Sequence, residues 1–356
     1  MKESLLDLYS DYLISSFGPT TATGLAELLD QQVSHDKVTR FLASEVKTSR
    51  HLWHLVKPLV RNIESEDGVL IFDDSIEEKP YTDENDIVCW HWDHSKNQHL
   101  KGINFLSALY VAGNTVLPVA FELVTKSETF LDPKTQKTKR RSQISKNAQY
   151  RMLLQLCHHN QVKFKYVLND TWFASADNMK FIKVNLKKEF VMPLKSNRKV
   201  AVSSADKKKG RYQGVEQLDL PEGTTRKIYL EGVEFALLLT KQVFTNGDGS
   251  TGVVYLVSRD LTLTGEQIQA LYKKRWSVEV YHKSLKQNAS LEKSPTRTET
   301  TQRNHFFASL CAYIKLEGLK SRTKLNHFAL KSKIYISALK SAYAELVKLK
   351  PQPLAA

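Results

Sequence analysis

The chain has 356 residues, with 52 Lys and Arg against 38 Asp and Glu, a net charge of +14 and 41% hydrophobic residues; that allows two or three domains with real cores and favours a polyanionic partner. No run of about 18 apolar residues occurs, which argues against a transmembrane helix, and MKESLLDLYSDYL, with its acids, is not expected to be a signal peptide. Cys89, Cys157 and Cys311 are scattered with no CxxC pair, so they are expected as buried thiols in a reducing cytoplasm, not as disulfides or a zinc site.

Residues 1–65 are expected to be helical. Leu5, Leu6, Leu8, Tyr9, Tyr12 and Leu13 recur at helical spacing. Leu25, Ala26, Leu28 and Leu29 make a short amphipathic helix, residues 30–33 a turn, and Ser34 an N-cap for a second helix carrying Val38, Phe41 and Leu42. That is a helix-turn-helix pattern, with Lys37 and Arg40 directed toward DNA. The same pattern also describes an ordinary αα-hairpin.

The apolar run Gly68–Phe72 reads as a central strand ending in Asp73, Asp74 and Ser75. Strand alternation puts Asp73 and Asp74 on opposite faces, so only one can join a site on a neighbouring strand. Glu77 and Glu78 read as loop charges. His91, His94 and His99 fit no common structural-zinc spacing. Ile103–Val111 and Thr115–Val124 read as antiparallel strands around a Gly113-Asn114 turn. DPKTQKTKRR reads as a basic loop, followed by a helix with Ile144, Met152, Leu153, Leu156 and Cys157 as its apolar positions. Phe164–Asn169 is then a strand running into Asp170, which opens a helix. Asp170 alone could simply cap that helix; two acids at two strand ends, joined by a third, could hold divalent ions.

From about 189 to 258 short strands alternate with turn-rich connectors such as SADKKKGRYQG and TNGDGSTG. Thr264 and Gln267 then form a capping box for a helix carrying YKKRWSVEVYHKSLK. Tyr272, Arg275, Glu279 and Lys286 fall within roughly a sixty-degree arc of one face if that helix is continuous, flanked by Leu271, Val278 and Leu285. A carboxylate among donors on a half-buried face is costly unless something charged sits there; metal ions and a nucleic-acid phosphate both fit, and a solvated face with Glu–Lys pairs is the plain alternative. A helix at about 302–320 and a basic amphipathic helix at Phe328–Leu349 complete the chain.

Tyr-x2-Arg-x3-Glu-x6-Lys, with Arg275-Trp276 and Tyr281-His282-Lys283 around it, resembles the YREK signature of DDE insertion-sequence transposases. The resemblance covers roughly residues 66–320. It implies an α/β, RNase H-like catalytic core interrupted by a β-rich insertion and preceded by a helical DNA-binding domain. The expected segments are 1–65 for DNA binding, 66–190 and 259–320 for the two parts of the core, 191–258 for the insertion and 321–356 for a basic tail. It implies catalytic and metal-binding roles for Asp74, Asp170 and Glu279, with two Mg²⁺ ions that Mn²⁺ can replace. Asp74, directly before a hydroxyl residue, aligns best with the family's Asp-Thr or Asp-Ser pattern, and Asp73 is the alternative first carboxylate. Tyr272, Arg275 and Lys286 would position DNA phosphates, and His94, Ser95 and Lys96 would lie near the DNA backbone. The implied activity is cut-and-paste transposition in a bacterial, nucleoid-associated setting. Its partners would be double-stranded DNA, as terminal inverted repeats and target, and a second copy in a synaptic homodimer. The alternatives are a structure-specific nuclease on the same core and a non-catalytic regulator derived from a transposase.

Overall fold

The computed structural model describes residues 4–93 and 96–350. In chain order the helices α1 (Leu5–Ser15), α2 (Ala22–Leu28), α3 (His35–Leu42) and α4 (Ser49–Ile63) come first. They precede the strands β1 (Val69–Glu78), β2 (Val88–Asp93), β3 (Gln98–Ala112), β4 (Thr115–Leu123), β5 (Glu128–Leu131) and β6 (Thr138–Arg141). Next come α5 (Lys146–His159), β7 (Tyr166–Asn169), α6 (Ala176–Lys180), β8 (Glu189–Leu194), β9 (Lys199–Ala201), α7 (Ser204–Lys208), β10 (Gln213–Gly214), β11 (Thr225–Leu230), β12 (Leu237–Thr245) and β13 (Thr251–Ser258). The chain closes with α8 (Gly265–Lys273), α9 (Ser277–Gln287), α10 (Glu299–Thr323) and α11 (His327–Leu349). Two compact units emerge: Thr48–Pro80 with Glu84–Val280, and the remainder.

The larger unit is a mixed α/β structure with an RNase H-like core. β3 pairs antiparallel with β1 and with β4, while β7 runs parallel to β1 and β8 parallel to β7. β1 is central because Val69, Leu70, Ile71 and Phe72 are all buried and the sheet is covered on both faces. α4 packs on β4 through Leu52, Val56 and Val60, fully buried at four-residue spacing. Its Ser49 hydroxyl donates to the Phe121 carbonyl at 2.6 Å and accepts from the Phe121 N–H at 2.7 Å. α5 packs on β3 and β4, burying Tyr150, Leu153, Leu154 and Cys157; Met152, expected inside, is exposed.

The β-rich insertion does not stand apart as a sheet of its own. β13 pairs with the edge of β8, and β12, β11, β9 and β10 follow outward in that order. The segment expected as a basic loop, residues 132–141, supplies the turn and second strand of the hairpin β5–β6, with Glu128 opposite Arg141. Glu77 is likewise no loop charge: it lies on β1, 2% exposed, with Lys79 Nζ 3.3 Å from its carboxylate. Gly102 on β3 has no room for a side chain, because a Cβ there would lie 2.1 Å from the Glu77 carbonyl oxygen. Close approach of β1 to β3 at the acid-bearing end therefore requires glycine.

In the smaller unit α10 is the central helix. It buries Phe306, Phe307, Leu310, Tyr313 and Leu316 around its circumference, as a helix surrounded by others must. Tyr9 of α1 shares a 3.0 Å hydrogen bond with His305. The Asn304 amide donates to the carbonyls of Leu42 and Ser44 and its oxygen accepts from the Lys47 N–H, tying down the end of α3. α2 and α3 pack together, capped by Thr21 and Ser34. Val38 and Leu42 are buried, while Lys37 and Arg40 are exposed. None of the described helices is long and apolar enough to cross a membrane.

Candidate active site

Asp73 of β1 and Asp170, the residue after β7, are brought together by the parallel pairing of the two strands. Phe72 is paired with Asn169, so one step further along both strands brings Asp73 level with Asp170. A single aromatic anchors the point where the β1–β7 pairing ends, β1 itself continuing to Glu78. The Tyr150 ring of α5 meets Phe72 edge-on at 4.9 Å and stacks on Phe173 at 5.0 Å, and its hydroxyl donates to Asn169 Oδ1 at 3.0 Å. Asp170 caps a one-turn 3₁₀ helix, Thr171–Phe173, accepting the N–H groups of Trp172 and Phe173 at 3.1 and 3.3 Å.

Asp73 and Asp74 divide as strand alternation requires. Asp74 accepts from Lys146 Nζ at 2.7 Å and from the Asn104 amide at 2.6 Å; neither partner was signalled by the sequence. Asp73 instead faces Arg275, whose guanidinium lies 3.6 Å from its carboxylate and 3.3 Å from that of Glu279. Arg275 thus bridges the first strand's acid and the helix-borne one. It also lies over the Tyr272 ring at 5.7 Å.

The helix that carries Glu279 is not continuous. α8 ends at Lys273, a 3₁₀ turn spans Lys274–Trp276, and α9 starts at Ser277. A 3₁₀ segment turns faster than an α-helix, so the single-arc geometry expected for Tyr272, Arg275, Glu279 and Lys286 does not hold. Tyr272 and Arg275 are largely buried and the Glu279 side chain is 46% exposed. Lys286 lies in the last turn of α9, in the part of the chain that belongs to the smaller unit. α8 is seated by Gly265, where a Cβ would lie 1.9 Å from the Gly223 carbonyl oxygen.

Charge accumulation is the site's dominant electrostatic feature. Burial raises the Asp73 pKa well above the usual carboxylate range, and the charges of Asp170, Asp74 and Glu279 push it the same way, with Arg275 opposing. Burial also raises Asp170, helped by Asp74 and opposed by the backbone N–H groups and Arg275. Burial disfavours the charge of Arg275, but Tyr272, Asp73 and Glu279 outweigh it and its pKa is raised. His91, buried beside Lys126 and Lys146, is held neutral with its pKa lowered to about 3. Among the described residues no three His, Cys, Asp or Glu side chains stand close enough to hold a metal ion. The donor set nevertheless suits a hard divalent cation: it is made of carboxylates, and Arg275 and the backbone N–H groups at Asp170 relieve their mutual repulsion in part. His94 and Ser95 lie outside the described residues, and Lys96 pairs with Glu78.

Two family models match, each over more than half of the chain: a transposase DDE domain over residues 132–315 and a DDE superfamily endonuclease over residues 2–222. The chain belongs to the DDE transposases. The endonuclease model spans both candidate first acids and Asp170 of this DDE transposase, and the transposase model spans Asp170 and Glu279. The strand transfer complex of the Drosophila P element transposase is similar to this transposase over 51% of this chain, at 14% identity and a TM-score of 0.27. The alignment covers 36% of that chain. No curated protein matches the sequence.

Proposed function

We propose that this DDE transposase binds the ends of its own insertion element and moves it by metal-dependent DNA cleavage and strand transfer. The carrying observation is that one guanidinium bridges Asp73 and Glu279 at the end of the strand pairing that brings Asp73 level with Asp170. We assign the first ligand position to Asp73 in place of Asp74, because Asp74 is already neutralised by Lys146. Asp73, Asp170 and Glu279 would hold two Mg²⁺ ions, or Mn²⁺ in their place. Bound there, the ions would supply an activated oxygen nucleophile and stabilise the leaving oxygen.

The remaining roles belong to the chain's own groups. Arg275, once the carboxylates are neutralised otherwise, can turn its guanidinium to a DNA phosphate, and Tyr272 beneath it limits where it can go. Lys286 stands about 10 Å along α9 from Glu279, at roughly 1.5 Å per residue, a reach suited to a phosphate one or two nucleotides from the cut. Lys37 and Arg40 project from α3 of the capped α2–α3 pair and would read the element ends. In this reading residues 1–65 supply end recognition, 66–190 and 259–320 the chemistry, 191–258 the inserted strands and 321–356 a basic tail. Terminal inverted repeats and target DNA are its partners, in a homodimeric synapse within a bacterial nucleoid.

The test uses purified protein and linear DNA carrying the sequences that flank the reading frame. Mg²⁺-dependent nicking at the repeat boundary followed by joining to target DNA is expected. Nicking without joining would leave a structure-specific nuclease, and binding without nicking a regulator. Lys37→Ala and Arg40→Ala should each weaken end binding and lower its salt slope by about one.

A further inference from the structure

β2 closes the strand order of the large sheet, with β3 as its partner. Its Trp90 and Trp92 are 51% and 42% exposed. We propose that these two indoles, with Lys101 and Lys126 beside them, form a docking surface for a run of single-stranded DNA. The inference rests on the DNA-processing reading above and adds a second surface to it, away from the acids.

The strand register decides which face the indoles occupy. Trp90 is opposite Lys101 and Trp92 opposite His99, so these four side chains share one face. Lys101 stands an even number of residues from Ser107 on β3, and Ser107 is opposite Asp73. The indoles therefore lie on the sheet face that carries Asp73. His91, between them, points to the other face and is buried. The Trp92 ring meets His99 edge-on at 4.9 Å, and the Trp90 carbonyl accepts from Lys126 Nζ at 2.7 Å.

Charge and spacing select the occupant. In the segments around the indoles, Glu78 is paired with Lys96 and Asp86 with Arg140, and Asp93 accepts the Lys96 N–H. Lys101 and Lys126 have, among the described residues, no carboxylate at ion-pair distance. Two exposed indoles on an edge strand are a liability unless something covers them. Bases can stack on such rings whatever the sequence, while the lysines hold the phosphates. Residues two apart on a strand are separated by roughly 6.8 Å, twice the 3.4 Å rise of stacked bases, so each ring can take a base of its own. A duplex keeps its base faces stacked and offers the rings none. From the level of Asp73 to Lys101 is about 20 Å along β3, the span of about six stacked nucleotides.

The experiment titrates the full chain with a labelled oligothymidylate of about twelve nucleotides and with a duplex of the same length, followed by fluorescence anisotropy. The Trp90→Ala/Trp92→Ala double variant should bind the single strand at least about tenfold more weakly and the duplex within about twofold of wild type. Trp90→Phe/Trp92→Phe should keep most of the single-strand affinity. Lys101→Ala should lower the single-strand salt slope by about 0.7. An abasic strand of the same length should bind the wild type at least about tenfold more weakly than the thymidylate, a readout that needs no variant to fold. Equal binding of abasic and base-bearing strands, or unchanged single-strand binding by the double alanine variant with native circular dichroism, overturns the surface. Equal losses on single strand and duplex overturn it too, because the rings would then serve duplex binding or the fold. A wild type that nicks element ends but does not bind the thymidylate refutes the surface alone. One that binds it through these rings and never nicks supports the surface and overturns the DNA-processing reading.

Discussion

Asp73 stands on a strand, Asp170 directly follows one and Glu279 stands on a helix, and the two kinds of support differ. The end of the β1–β7 pairing is locked by ladder hydrogen bonds and by one tyrosine that contacts Phe72 and Phe173. Glu279 follows a 3₁₀ interruption, is half in solvent, and is held toward Asp73 by Arg275. The strand side is preorganised and electrostatically loaded; the helix side is adjustable and carries the neutralising charge. In the function proposed above that division is useful, because repulsion among fixed carboxylates favours a bound cation.

The comparison breaks most sharply on activity. Asp73→Ala, Asp170→Ala and Glu279→Ala should each lower Mg²⁺-dependent end nicking by at least about a thousandfold while DNA binding persists. Asp74→Asn should lose only about ten- to a hundredfold, as a residue that orients its neighbours through Lys146 and Asn104. Gel assays that find Asp73→Ala active and Asp74→Ala dead would return the first ligand to Asp74.

A smaller effect should separate the two supports structurally. Gly265→Ala forces a Cβ against the Gly223 carbonyl and should cost about 1–3 kcal/mol, read as a loss of several degrees in Tm at roughly 2–4 °C per kcal/mol. Because it shifts the seat of α8, nicking should fall further than the stability loss explains. A melt that matches wild type would mean the strand and helix sides are not set against each other through this glycine.

The smallest effect sharpens the electrostatic half of the comparison. The folded-state pKa of Asp73 is raised, so its contribution favours the fold below the unfolded carboxylate range and is lost as pH climbs through the raised value. Asp73→Asn should therefore raise the metal-free Tm at neutral pH and leave it unchanged near pH 3, below the ordinary aspartate value of about 3.9. Mg²⁺ should raise the wild-type Tm at neutral pH and do less for Asp73→Asn. Glu279→Gln, on the exposed side, should bring no comparable gain; melts in which it stabilises as much as Asp73→Asn would erase the distinction.

Local pattern alone marked the strands, the helix caps and the acids. The apolar run is a buried strand, although β1 continues past its acids to Glu78; Thr264 with Gln267 caps α8 as expected, and Asp170 directly follows β7 and caps the turn after it. These features depend on neighbours within a few residues, which is what periodicity and capping rules read. The preference for Asp73 over Asp74 that we propose is not of that kind. It rests on Lys146 and Asn104, far away in the sequence, and on Arg275 arriving from the other side of the inserted strands. The break in the helix before Glu279 and the joining of the insertion to the core sheet were likewise decided by packing between distant segments, for which one-dimensional spacing carries no signal.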